Sequence, residues 1–252
     1  MRSAPLAWLL LAASACTHLP AVPAPGPAER VEAGATSLEL RYGPADAEAA
    51  AQVRRLLPAA VLAAERWGPL GAGVVLTIHP THGELESAAG RRGRPWMRAW
   101  ARRDGVELQS PRTWSRGHAS DEALGQVLAH ELTHCVLFRS AARDGGGREI
   151  PLWFREGLSS VAAGERHARA SAEALAAPEE LLRSDSKLVY GTADRAFRYL
   201  LERHGEERAR RLVAALGRGR PFPEAFRDVL GVTVGDFESD FRSRLSALAV
   251  RP

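Results

Sequence analysis

One apolar run carries two histidines a helical turn apart, and it constrains this chain more than any other stretch. The run, residues 124–138, contains Ala129-His130-Glu131-Leu132-Thr133-His134-Cys135. Its spacing predicts a helix on which His130 and His134 project from the same face. Two imidazoles so placed can share one metal ion, and tetrahedral Zn²⁺ is the usual choice for nitrogen donors joined by a carboxylate. Glu131 points to one side of the pair, where it could take a proton from a metal-bound water. Leu124, Leu128, Leu132 and Cys135 form the opposite stripe, facing a core. Ser120 is placed to cap the helix, with Asp121 and Glu122 in its first turn. The competing reading is a pair of ordinary histidines on a solvated helix face.

A second stretch favours the metal. Ile150-Pro151-Leu152-Trp153-Phe154-Arg155-Glu156-Gly157-Leu158 begins another apolar helix, with Glu156 twenty-two residues after His134. A catalytic zinc takes three protein ligands and leaves one position open, and His, His and Glu form such a set.

At 252 residues the chain can bury a full core, and one catalytic domain with a small appendage is the expected organisation. The net charge of +4 comes almost wholly from arginine, since Lys187 is the only lysine. Arg91, Arg92, Arg94, Arg98, Arg102 and Arg103 cluster. They read as a solvated face rather than a nucleic-acid surface, with an anionic surface as the alternative. Of two cysteines, Cys135 lies on the core side of its helix and reads as a small buried apolar residue. Cys16 ends an N-terminal leader: Arg2 supplies charge, Leu6 to Ala13 an apolar region, and Ala13-Ser14-Ala15 small residues before a cut. The apolar region falls short of the roughly 20 residues of a membrane span. Ala13-Ser14-Ala15-Cys16 resembles a bacterial lipoprotein box, although Ala13 stands where leucine is more usual. Lipidation of Cys16 anchors the protein to a membrane. Ordinary cleavage after Ala15 leaves it periplasmic or secreted, and either route exports it.

The expected organisation is a signal peptide over 1–15, a Pro-rich tether over 16–36 and a folded domain over 37–252. Leu38, Leu40 and Tyr42 alternate as a strand. Asp46 to Trp67 reads as a helix with Val53, Leu56, Leu57, Val61 and Leu62 on one face, kinked or broken at Pro58. Residues 73–78 form a β-branched strand. His79 and His82 follow in what reads as an exposed loop, a second metal site there lacking acidic or cysteine partners. Trp96 and Trp100 belong to a packed segment. Residues 105–110 alternate as a strand, either an exposed edge that could pair with a peptide or an interior strand. Residues 143–148 read as a glycine-rich connecting loop. The last third is helical: one helix opening at Thr192 or Asp194 and ending at His204, one carrying Leu212, Val213 and Leu216, and one capped at Thr233–Asp236 before Phe237, Phe241 and Leu245. Strands early and helices late make the fold class α+β.

His130-Glu131-Leu132-Thr133-His134, followed by Pro151-Leu152-Trp153-Phe154-Arg155-Glu156-Gly157, resembles the gluzincin metallopeptidases. More narrowly, the chain is similar to the bacterial peptidase MA-like proteins from about Ser37 to Leu245. The resemblance implies a zincin-like fold, a Zn²⁺ on His130, His134 and Glu156, and Glu131 as general base. It also implies a peptide or protein substrate in the cell envelope. Similar enzymes place a tyrosine or histidine downstream of the third ligand to stabilise the oxyanion. Tyr190 is the candidate here, a core tyrosine being the alternative; His118 and His167 are more distant possibilities, and His204 reads as structural. One departure is plain: Ser160 stands where thermolysin-like relatives carry the acid that orients a zinc-bound histidine. The alternative function is a non-catalytic envelope lipoprotein that keeps zinc for structure or binding.

Overall fold

The computed structural model describes residues 28–249 apart from 35, 115–117, 142–149, 177–183 and 185. The leader, the Cys16 box, most of the tether and the loop 143–148 therefore lie outside the described residues.

Five strands form one sheet in the order β1-β2-β3-β5-β4. They are β1 (Ala28–Ala33), β2 (Thr36–Arg41), β3 (Val74–His79), β4 (Ala99–Arg102) and β5 (Gly105–Gln109). The inner strands β2, β3 and β5 run parallel, while β1 and β4 lie antiparallel at the two edges. Period-two alternation buries Leu38 and Leu40, Val74, Leu76 and Ile78, and Val106 and Leu108. Helices α1 (Ala47–Glu65) and α3 (Asp121–Ser140) cover these residues with Val53, Leu57 and Val61 and with Leu124, Leu128, Leu132 and Cys135. A short helix, α2 (His82–Ala89), makes a separate small cluster through Leu85, Ala89 and Met97.

A second core belongs to α4 (Leu152–Ala162), α5 (Ser186–His204), α6 (Glu206–Gly217), α7 (Phe222–Leu230) and α8 (Val234–Ala249). Aromatic rings dominate it: Trp153 stacks on Phe237 at 5.1 Å, and Phe154 meets Phe222 edge-on at 4.9 Å. Helix α3 joins the two cores, since Val136 packs in the first and Leu137 in the second. The architecture is α+β, a small sheet followed by the histidine helix and a helical C-terminal part.

Several local expectations need correction. Ordered strand begins at Ala28 rather than Ser37: β1 is an edge strand burying only Val31 and Ala33, which leaves little apolar signal. Pro58 lies inside an unbroken α1, and Leu62 is 75% exposed rather than part of its packed face. The segment after His79 is a helix, not a loop, because Thr81 and Glu84 form a reciprocal cap. Helix α5 is already formed at Ser186, and the Thr192 hydroxyl donates to Leu188 O inside it instead of capping it. Helix α7 was not expected, although Phe222, Ala225, Phe226 and Leu230 are spaced for one buried face. Within the arginine cluster, Arg94 is not solvated but 2% exposed.

Candidate metal centre and cleft

Local chemistry places the two histidines. The Ser120 hydroxyl accepts from the Ala123 N–H at 3.1 Å, starting α3 in the expected register. The Leu124, Leu128, Leu132 and Cys135 stripe then packs against the sheet and turns His130 and His134 the other way. Their rings stand 4.9 Å apart, and Phe138 stacks on His134 at 5.5 Å. Cys135 donates to Arg102 O at 3.1 Å, and burial pushes its thiol up to about 12, as suits a packing residue.

Tertiary packing places the glutamate. Gly157, directly after Glu156, lies against α5 so closely that a Cβ there would sit 2.3 Å from Ala193 O and 2.6 Å from Phe197 Cβ. That contact holds α4 against α5 and aims Glu156 at the histidines. Its Oε2 lies 3.4 Å from His130 Nε2 and 3.3 Å from His134 Nε2. Donors around a tetrahedral zinc, each about 2.0–2.2 Å from the ion, stand about 3.3–3.5 Å apart. His130, His134 and Glu156 are all buried and lie close enough together to bind one metal ion. Among the described residues they alone form such a group. His79 instead pairs with Glu107 at 2.6 Å, and His82 contacts Gln109 and Glu86.

The acid that Ser160 fails to supply comes from Glu165, which inspection of the position four after Glu156 cannot find. Helix α4 ends in a Schellman turn: Gly164 adopts φ +68°, its N–H bonds to Val161 O, and the Glu165 N–H bonds to Ser160 O. The chain thus doubles back and returns Glu165 to the level of Ser160. Its Oε1 lies 3.2 Å from His130 Nδ1, an ionic contact whose angle falls short of a hydrogen bond. Its Oε2 lies 3.1 Å from His167 Nε2. Ser159 Oγ serves the other ligand, 3.2 Å from His134 Nδ1. Ser159 Oγ can thus fix the tautomer and ring orientation of His134, while Glu165 gives His130 an ionic partner. The legible signal for Glu165 was Gly164, a helix-ending glycine.

A cleft of about 180 Å³ opens beside the triad. Residues 96–99 form one wall, Val127, His130 and Glu131 its floor, and Glu165, His167 and Tyr190 the far wall. Tyr190 is thus brought to the cleft, its ring 6.0 Å from His130 and stacked near His167 at 6.2 Å. Gly191 permits this, for a Cβ there would meet Arg169 O at 1.7 Å. His118 is exposed and His204 ends α5; neither lines the cleft.

The strand next to the cleft is β4, whereas β5 is interior. Gln109 N–H bonds to Arg98 O, so in the alternating antiparallel pattern Ala99 and Ala101 turn their backbone groups to the free edge. Consistent with that, the Ala101 backbone favours the ionised Glu131 carboxyl against its burial.

No protein family, curated protein or solved structure matches the chain.

Charge inside the site is tightly balanced. Burial works against ionised Glu156, but His134 and His130 outweigh it and hold the carboxyl well below the usual range. Burial likewise opposes charged His130, yet Glu165, Glu156 and Glu131 hold it well above the ordinary imidazole value. Glu165 is lowered against burial, chiefly by His130. Glu131 differs: burial raises it, and the two histidines only partly offset this. Burial, then Glu156, Glu131 and Glu165, push the Tyr190 phenol well above its usual value, so it stays a proton donor.

Proposed function

We propose that this chain is a zinc-dependent metallopeptidase acting on an extended peptide. One observation carries the reading: two imidazoles and a carboxylate converge closely enough to hold one metal ion while a fourth residue, Glu131, lines the adjoining cleft. A purely structural zinc is closed by four protein ligands and has no use for a base. A Zn²⁺ held by His130, His134 and Glu156 would polarise the scissile carbonyl and lower the pKa of the attacking water.

The chain's own residues do the rest. The free backbone groups of Ala99 can pair with an extended substrate and fix its carbonyl over the triad. Glu131, raised by burial, takes the proton from the water and delivers it to the leaving amine. The protonated Tyr190 hydroxyl donates to the developing oxyanion. Glu165 and Ser159 hold the ligand imidazoles in orientation. The leader and Cys16 support an activity outside the cytoplasm, lipid-anchored in a bacterial cell envelope. Intact-mass measurement of the mature protein checks the anchor: a chain lacking lipid mass leaves ordinary secretion.

The decisive variant is Glu131→Gln, which keeps size and removes the base. Digestion of a broad peptide library should slow by about 10²–10⁴-fold with zinc retained. Equal cleavage by wild type and variant would refute the mechanism. A zinc-loaded wild type that cleaves nothing would favour the non-catalytic lipoprotein.

A further inference from the structure

Among the described residues, Arg94 is the one fully buried cation without an ionic partner. It is 2% exposed, and its Nη1 has no hydrogen-bond partner. Among the described residues, the other buried carboxylates all have ionic partners: Asp46 has Arg112, Asp194 has Arg198, and Glu156 has the two histidines. Glu86 accepts the Arg94 backbone N–H and contacts His82, but it makes no ion pair with the guanidinium. What surrounds the guanidinium is aromatic, with the Trp96 and Trp100 ring centroids 5.9 and 6.0 Å away. Such faces recover part of the lost solvation, but they do not replace a counter-ion.

Trp96 links the guanidinium to the cleft. Trp96 forms the cleft wall at this end and packs edge-on against Tyr190 at 5.9 Å. Its Nε1 is also buried and also without a partner. Both orphaned donors belong to one short segment: Trp96 lines the cleft, and Arg94 lies against the Trp96 ring. A peptide added antiparallel to β4, the commoner pairing, runs its C-terminal side toward residues 94–98.

We infer that Arg94 and Trp96 form a subsite for a substrate carboxylate, on the C-terminal side of the bond being cleaved. This rests on the peptidase reading for its location. Such a carboxylate comes either from a free C-terminus or from an acidic side chain. A guanidinium recognises either through paired N–H donors, and Trp96 adds a third.

The test uses the zinc-loaded Glu131→Gln protein and N-acetylated pentapeptides, measured by calorimetric binding. One set ends in a free acid and one in an amide; a third, amidated, set carries glutamate in place of glutamine. Binding does not require turnover, so the result stands apart from whether the wild type cleaves peptides. At least a tenfold preference for one carboxylate-bearing set is expected, and the set that wins identifies the source. Arg94→Met should collapse that ratio toward one, and Arg94→Lys should restore part of it. Ligand-free Arg94→Met should also melt at a higher temperature, because a buried unpaired charge has been replaced by an apolar chain. Indifference to the carboxylate, or a ratio unchanged in Arg94→Met, would overturn the subsite.

Discussion

Helix α3 and the α4–α5 pair contribute to the same centre by opposite means. On α3 everything is local: a capped start, an apolar stripe and a four-residue spacing suffice to put His130 and His134 on one face. On α4 and α5 nothing is local. Glu156 reaches the histidines because Gly157 lets two helices touch, and Tyr190 reaches the cleft because Gly191 lets residue 169 pass against it. Glu165 arrives by a chain reversal. A site of this kind is only as well formed as the contacts between its two halves.

That contrast can be broken most violently at the glycines. Gly191→Ala and Gly157→Ala add a carbon where backbone oxygen already stands, 1.7 and 2.3 Å away. Each should cost about 3 kcal/mol in urea unfolding, the upper end for overpacking. The same change on α3, Gly125→Ala, meets no atom within 4 Å and should stabilise by about 0.5–1 kcal/mol. Similar stability for Gly125→Ala and Gly157→Ala would erase the distinction between the halves.

Next in size is the outer carboxylate. Glu165→Gln should weaken zinc affinity by about 10–100-fold, the usual consequence of removing a group that orients a ligand histidine. Competition with a chromophoric chelator reads this directly. An affinity equal to wild type would mean that the Schellman turn brings Glu165 near His130 without any use for it.

Smallest is the local cap. Ser120→Ala removes the acceptor of the Ala123 N–H and should lower stability by about 1 kcal/mol, with zinc affinity little changed. A large loss of zinc in this variant would show that α3 is not self-sufficient.

The same contrast explains what could be read from the sequence. The His130–His134 face, the Ser120 cap and the alternating strands β2, β3 and β5 are periodic, and period is visible in a string of letters. Glu156 was legible because its apolar helix is. Glu165 was not, since its relation to His130 depends on a left-handed Gly164 rather than on any spacing from Glu156. Arg94 was misread because a cluster of arginines looks solvated, and only packing shows one of them beneath Trp96 and Trp100. The edge strand was likewise invisible: β4 is four residues long, and its position outside β5 is a fact of topology.

Zinc content tests the central claim most directly. Wild-type protein and Glu156→Gln, purified alike and dialysed against the same trace zinc, should be compared by elemental analysis. Joining of the two halves through one metal predicts close to one zinc per wild-type chain and a small fraction of that in Glu156→Gln, with α3 and both its histidines untouched. Equal zinc in the two proteins, or none in the wild type, would contradict it.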